Sequence, residues 1–416
     1  MRPYGSPVVG RQRLGGFLAG FLVVAGVTSL LCAPASGPSG VTPTGPPPQD
    51  ALTSSGFHYF YDLDFDPAVK DFERVLKIHP EDPFAVNHLL SAVLYRELYR
   101  VGALDTGLYA TNNFLTRKKF PFDPKVSVQV KELTERALAL SERRLAQDPQ
   151  DVQALYARGL TRGLCAEYLA LVDKSWFAAL RNAIGARRDH EEVLRLAPDY
   201  ADAKTIVGVY NYVAGSLPWT VKAAASLVGM SGSRKKGIQY LYDAANAGGE
   251  TSADARIALA LFLRREHRFD EALAAVRVLT ASHPRNFLYA LEEAHILNDA
   301  GRGPEAIAAY RRVLAAGRQG HYFQPHLEMA AFGLGEALRG QGDFAGAAEA
   351  YESVRESPSA DSDRVATANL AAGEMYDLLH QRELAVKKYQ AVIIANASSP
   401  SAETARRHLK EPYRNP

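Results

Sequence analysis

The chain has 416 residues, 47% of them hydrophobic and 23% charged, with a formal net charge of +2. That is enough apolar material for a large ordered core. Arg2, Arg11 and Arg13 fall in the first 35 residues, where there is no acid, and without these three the +2 becomes −1. A near-neutral remainder excludes the broadly basic face that nucleic-acid binding needs, so no nucleic-acid partner is expected.

The three arginines precede an apolar stretch from Leu14 to Leu31, followed by Ala33-Pro34-Ala35. A charged region, an apolar region and small residues in that order read as an export signal. Residues 14–31 could also span a bilayer at about 1.5 Å per residue. Residues 1–35 therefore read as a cleaved signal peptide or a retained N-terminal membrane anchor, with lipidation at Cys32 as a third fate. Leu31 fits that third fate badly, because lipoprotein signals prefer a small residue there. The chain is expected to be exported: periplasmic, membrane-anchored or secreted. Residues 36–50 follow as a Pro/Gly/Ser-rich linker, too poor in apolar residues to offset its ordering entropy by burial. Of the two cysteines, Cys165 stands alone if Cys32 is removed. It reads as a small buried apolar residue, with a reactive thiol as the alternative.

From residue 51 to 410 the chain repeats itself. In Phe65-Asp-Pro-Ala68-Val-Lys-Asp-Phe72-Glu-Arg-Val75-Leu76, the residues Phe65, Ala68, Phe72, Val75 and Leu76 share one helical face, and Pro80 stops the helix. The phrase returns with its small residue at 68, 137, 186, 237, 272, 306, 347 and 385. Twelve residues before three of these stand Gly56, Gly335 and Gly373, which with Gly208 would let a neighbouring helix approach closely. Asp66-Pro67, Asp82-Pro83 and Asp123-Pro124 each offer a capping carboxylate before a proline at the first helical position. Gly301 and Gly342 fall in turns between paired helices, and no strand-period stretch is present. Two insertions interrupt the array. Residues 96–125 carry Tyr99, Tyr109, Phe114, Phe120 and Phe122. In 214–232, Pro218 starts a short helix with Val221, Ala224, Ala225 and Val228 as its apolar stripe, either covering the core or contacting lipid or a partner.

This pattern resembles the tetratricopeptide repeat, most closely over residues 49–82 and 327–360. The resemblance implies an all-α fold, an α-solenoid of about eight helical hairpins wound as a right-handed superhelix. Residues 204–266, with Gly208-Val-Tyr-Asn-Tyr, Ser216-Leu217-Pro218, Leu227-Val-Gly229-Met-Ser-Gly232 and Lys236-Gly237-Ile238, are also similar to the eukaryotic inclusion-body clearance repeat family. The layout as a whole is similar to secreted repeat proteins of soil bacteria. In repeat proteins that bind peptides, recurring positions of each first helix face a concave groove. Carried over, these are Phe84, Asn87, Ser91, Tyr95, Tyr156, Leu160, Thr205, Val209, Tyr212 and Arg264. The plainer alternative is that Tyr95 and Tyr156 pack between neighbouring units. Asn87, Tyr156 and Thr205 stand where one variant of the family grips a carboxylate with lysines and asparagines, so that mode of recognition is not expected.

No catalytic or metal constellation is visible. Asp189-His190-Glu191-Glu192 lacks the second histidine of a zinc motif, and His321 and His326 flank a loop without a carboxylate partner within it. There is no phosphate loop and no Gly-x-Ser-x-Gly elbow. No cofactor and no enzymatic activity are expected. The sequence reads as a scaffold or adaptor of the bacterial envelope whose partners are other proteins or peptides. The alternative is a glycan- or nutrient-binding lipoprotein built on the same repeats. Such a protein would want exposed tryptophan platforms, and only Trp176 and Trp219 are available, both in apolar surroundings.

Overall fold

The computed structural model describes residues 43–47, 50–109, 119–217, 222 and 231–414. The export segment, Cys32 and most of the 214–232 insertion, Pro218 and Trp219 included, lie outside the described residues. Within them the chain is all-α and has no strand. The helices are α1 (Ala51–Tyr61), α2 (Phe65–Ile78), α3 (Pro83–Arg100), α4 (Pro124–Gln147), α5 (Val152–Tyr168) and α6 (Trp176–Leu196). Then come α7 (Ala203–Gly215), α8 (Arg234–Asn246), α9 (Ser252–Arg265), α10 (Phe269–Ser282), α11 (Phe287–Asp299) and α12 (Gly303–Arg318). The last are α13 (Leu327–Gly340), α14 (Phe344–Ser353), α15 (Ser362–Leu378), α16 (Arg382–Ala395) and α17 (Pro400–Lys410). Among the described residues, none of these is long and apolar enough to cross a membrane.

The chain divides into two compact units. The first takes residues 1–48, 80–91 and 111–255, and the second takes 49–79, 92–110 and 256–416. In the first, α4 packs on α5, α5 on α6, α6 on α7 and α7 on α8. A cluster of Ala166, Ala170, Ala179, Tyr210 and Ala214 joins α5, α6 and α7. In the second, α1 packs on α2, and every helix from α10 to α16 packs on the next.

The small residues at 68, 137, 186, 237, 272, 306, 347 and 385 are all buried, which is why only alanine or glycine serves there. The glycines twelve residues before them face an aromatic ring of the same hairpin. A methyl added at Gly56 would lie 2.5 Å from Phe72 Cε1, and one at Gly373 would lie 2.6 Å from Tyr389 Cε1. Gly335 faces Tyr351 in the same way. Gly208 differs, because α7 and α8 approach backbone to backbone: a methyl on Gly237 would lie 2.5 Å from Tyr212 N and 2.6 Å from Gly208 O. Gly208 and Gly237 thus permit a close helix crossing. Each such ring or backbone approach closes an apolar seam worth a few kcal/mol of burial per large side chain, by the usual area estimate.

The turn between paired helices has one recurring shape. The residue two before the second helix has positive φ in five hairpins: Leu63 (64°), His267 (58°), Gly301 (72°), Gly342 (78°) and His380 (60°). Capping follows the sequence at two of the three expected places. Asp82 accepts from Phe84 N at 3.1 Å, and Asp123 accepts from Lys125 N at 2.8 Å. At the third, α2 begins at Phe65, one residue before Asp66, so Asp66 sits inside the first turn and Asp64 takes the cap position without a side-chain bond. Burial of Phe65 beneath Tyr99 and Phe60 extends the helix past the expected start.

The second unit is not stacked in sequence order alone. Asn286 Nδ2 donates to Tyr61 O at 2.6 Å, and the Tyr61 ring lies 5.1 Å from that of His283. The Tyr99 hydroxyl donates to Gln324 O at 3.2 Å. The insertion after α3 forms a short 3-10 turn, Thr106–Leu108, which packs on α11.

Candidate functional site

All ten residues expected on a partner groove are buried. Phe84, Asn87, Ser91, Tyr156, Leu160, Thr205, Val209 and Tyr212 belong to the first unit, and Tyr95 and Arg264 to the second. Their side chains meet neighbouring helices instead of open solvent. Phe84 stacks on Tyr156 with ring centres 6.4 Å apart. Asn87 donates to Ala157 O at 3.0 Å and accepts from the Thr161 hydroxyl at 2.8 Å. Thr205 bonds Thr251 hydroxyl to hydroxyl at 2.7 Å. Tyr95 packs edge-on against Phe60. Tyr95 and Tyr156 therefore occupy inter-helix packing positions.

Arg264 is spent inside the second unit. Its guanidinium bonds Glu292 at 3.0 Å and Asp299 at 2.6 Å, with Glu292 fully buried. Thr106 from the 3-10 turn donates to the same Glu292 carboxylate. Burial pushes the Glu292 carboxyl up, but Arg264, His295 and Thr106 together hold it below the usual range. This is a closed ion cluster, not a docking surface.

The groups with chemical character are likewise engaged. Asp189 is held by Arg158 and Arg162, each at 2.7 Å, and His190 places Nδ1 2.8 Å from Ala186 O. Burial drops the His190 imidazole to about 4. His321 lies 3.0 Å from Pro284 O, while His326 bonds Glu328 at 2.8 Å. Glu328 also accepts from Ser357 and Ser359, each at 2.6 Å. Burial pushes the Cys165 thiol up to about 11, and nearby Asp173 adds to the effect, so it is protonated at neutral pH. Trp176 is half-buried with Lys174 over its ring. Among the described residues, no three His, Cys, Asp or Glu side chains gather to hold a metal.

One polar arrangement receives a peptide. It lies at the N-terminal ends of α5 and α7 in the first unit. The Gln153 carboxamide donates through Nε2 to Gly45 O, in the linker, at 3.0 Å. Its Oε1 accepts from the Tyr200 hydroxyl at 3.2 Å, which fixes the orientation of the amide. The Tyr200 ring in turn stacks on Tyr156 at 4.9 Å. Asp202, just before α7, accepts from Thr251 N at 2.7 Å. Its carboxyl is raised above the usual range, chiefly by burial, against the pull of the Thr251 bonds. The Tyr156 hydroxyl, fully buried beside these groups, has no hydrogen-bond partner among the described residues. The sequence reading missed Gln153, although it stands one helical turn before Tyr156, because its partner lies more than a hundred residues away in a segment read as a spacer.

Residues 253–321 and 326–362 match the family model described as tetratricopeptide repeat, which takes in the three successive helix pairs α9/α10, α11/α12 and α13/α14. Residues 253–362 therefore carry tetratricopeptide repeats. Solved structures similar to it include a chain of the APC/C hetero-tetramer Cut9–Hcn1, 13% identical with a TM-score of 0.48. That similarity covers 86% of this chain and 55% of that one, so the chain spans about half the length of its neighbour. Pseudomonas aeruginosa pilF is 14% identical, covering 63% of this chain and 99% of its own, with a TM-score of 0.39. PilW, described as a type IV pilus biogenesis factor, is 14% identical, covering 67% and 94%, with a TM-score of 0.36. No curated protein matches the chain in sequence.

Proposed function

We propose that this tetratricopeptide-repeat protein is a non-catalytic scaffold of the bacterial envelope that binds extended segments of other proteins. Repeats of this kind serve protein–protein interaction in general. The observation that carries the reading is the Gln153 amide, oriented by Tyr200 and bonded to a main-chain carbonyl of the linker. An oriented carboxamide reads peptide backbone without regard to side chain, which suits a module for extended partners. The envelope location rests on Arg2, Arg11 and Arg13 before the apolar 14–31 stretch and on Ala33-Pro34-Ala35.

The test is partner capture. The full chain carrying a C-terminal tag is expressed in a bacterium that encodes it, the cells are lightly crosslinked, and the envelope is extracted in mild detergent. Co-purifying proteins are identified by mass spectrometry, beside a Gln153→Ala chain. Envelope proteins enriched with the parent and reduced at least severalfold with Gln153→Ala are expected. Enrichment of nothing over the untagged control, or a set unaffected by Gln153→Ala, would overturn the reading.

A further inference from the structure

We propose that residues 43–47 act as a built-in occupant of the Gln153–Asp202 face, and that a partner segment with lysine or arginine in the place of Gly45 displaces them. The inference rests on the reading of this face as a protein-binding site and names both its occupant and the chemistry of its partner.

The linker segment Pro43-Thr44-Gly45-Pro46-Pro47 is short of every means of holding itself in place. It has no apolar side chain larger than proline, and Thr44 is exposed. Yet Gly45 is half-buried and bonded to Gln153, which makes the contact backbone-directed. Proline on either side restricts the backbone, so less conformational entropy is lost on docking. A five-residue proline-rich segment with one described hydrogen bond to the face is a weak ligand, as an occupant that must give way should be.

Gly45 is where the partner would differ. A Cβ built on it meets one atom within 4 Å among the described residues: Asp202 Oδ2, at 3.7 Å. The backbone of Gly45 lies outside the left-handed region, so an L-residue fits there without strain. A side chain at that position is aimed at a carboxylate whose described bonds come from the backbone of Thr251, Asp202 and Glu250 and from the Thr251 side chain, with no cation among them. Neutral glycine brings no charge of its own to that carboxylate. Lysine or arginine would supply one, in a partly desolvated position where a charge-assisted bond is stronger than at an open surface. The linker holds the face by main chain alone, and a cationic segment adds to the same main-chain bond the contact the linker lacks.

The experiment uses the full chain in mild detergent, with a fluorophore on a non-natural residue at Thr44. Fluorescence anisotropy then reports whether the segment is held. The parent should give a high value that falls in Gln153→Ala. Acetylated, amidated five-residue peptides are then titrated in: Pro-Thr-Gly-Pro-Pro and Pro-Thr-Lys-Pro-Pro. The lysine peptide should release the label at a concentration at least about fivefold lower, the scale of one partly shielded ion pair. Asp202→Asn keeps an oxygen for Thr251 N and should erase the difference between the peptides. A label equally mobile in the parent and in Gln153→Ala would overturn cis occupancy. Equal potency of the two peptides on the parent would overturn the cationic partner. Both outcomes leave the partner-capture result standing, and a failed capture leaves the anisotropy result standing.

Discussion

Gly335→Ala should destabilise the protein even though alanine is the better helix former. The glycine lies within α13, and the added methyl would sit 2.6 Å from Tyr351 Cδ1 and 2.8 Å from Cζ. Ordinary contact begins near 3.4 Å, so the ring or its helix must move by more than half an ångström. Neither moves easily. Tyr351 is 1% exposed, its hydroxyl bonds Glu336 at 2.5 Å, and Phe332 packs on the ring at 5.3 Å. Ala347 and Val354, on either side along the chain, are fully buried. Overpacking of this kind costs about 1–3 kcal/mol, from which the helix preference of alanine over glycine recovers about 1 kcal/mol. A net loss of up to about 2 kcal/mol is expected. Gly340→Ala is the control: it also lies in α13, nothing is within 4 Å of its added methyl, and it should be neutral or slightly stabilising. Urea titration followed by far-ultraviolet circular dichroism measures both. In a Tyr351→Leu background, which removes the ring, the Gly335→Ala penalty should fall by more than half. If Gly335→Ala proves as stable as Gly340→Ala, the glycine–ring account of the hairpin is wrong.

His380→Gly should raise stability by about 0.5–1 kcal/mol, because His380 is exposed at φ 60°, where a side chain is a liability; an unchanged melting temperature would argue against it. Arg264→Ala should cost about 3–5 kcal/mol by stranding the buried Glu292 carboxylate. Adding Glu292→Gln should recover part of that loss in the same denaturation assay. Stability should also fall between pH 7 and pH 5 through His190. Its pKa is about 4 when folded and 6.5 when not, so the unfolded chain binds the extra proton in that window. The contribution is complete above about 6.5 and lost as pH falls toward 4, about 2 kcal/mol by pH 5. Denaturation midpoints of the parent and His190→Asn at the two pH values check this, and a pH slope unchanged by the substitution would refute it.

The hairpins could be read from the sequence because their determinants are local. Ala306, Tyr310 and Val313 are spaced on one face of α12, and a small residue such as Gly373 stands sixteen residues before the ring it accommodates, in the next helix of the same hairpin. The helix start at Phe65 was less legible, because the aromatic packing that holds it includes Tyr99, 34 residues on, and outweighs the Asp66-Pro67 signal. The candidate site was hardly legible at all. Positions carried over from peptide-binding repeats presuppose a free inner helix face, and here Asn87 and Tyr156 bond or stack across to neighbouring helices instead. Gln153 and Gly45 carry no periodic mark, because a main-chain carbonyl is present at every residue and only the fold selects one.

The same limit applies to Arg264. By helical position alone it belongs with the groove residues, and its burial depends on Glu292 and Asp299, which lie 28 and 35 residues further on. Thr106 completes the cluster from the other direction, 186 residues before Glu292. Repeat arrays are ordinarily sums of nearest-neighbour terms and unfold piecemeal. In the second unit the bonds from Asn286 to Tyr61, from Tyr99 to Gln324 and from Thr106 to Glu292 tie α1 and the turn after α3 to α11 and the loop before α13. Losing the first hairpin there removes partners from residues more than two hundred positions away. The first hairpin must therefore open together with α11 and the loop before α13, and the 96–125 insertion, which interrupts the repeat in sequence, contributes its Tyr99 and Thr106 to the coupling.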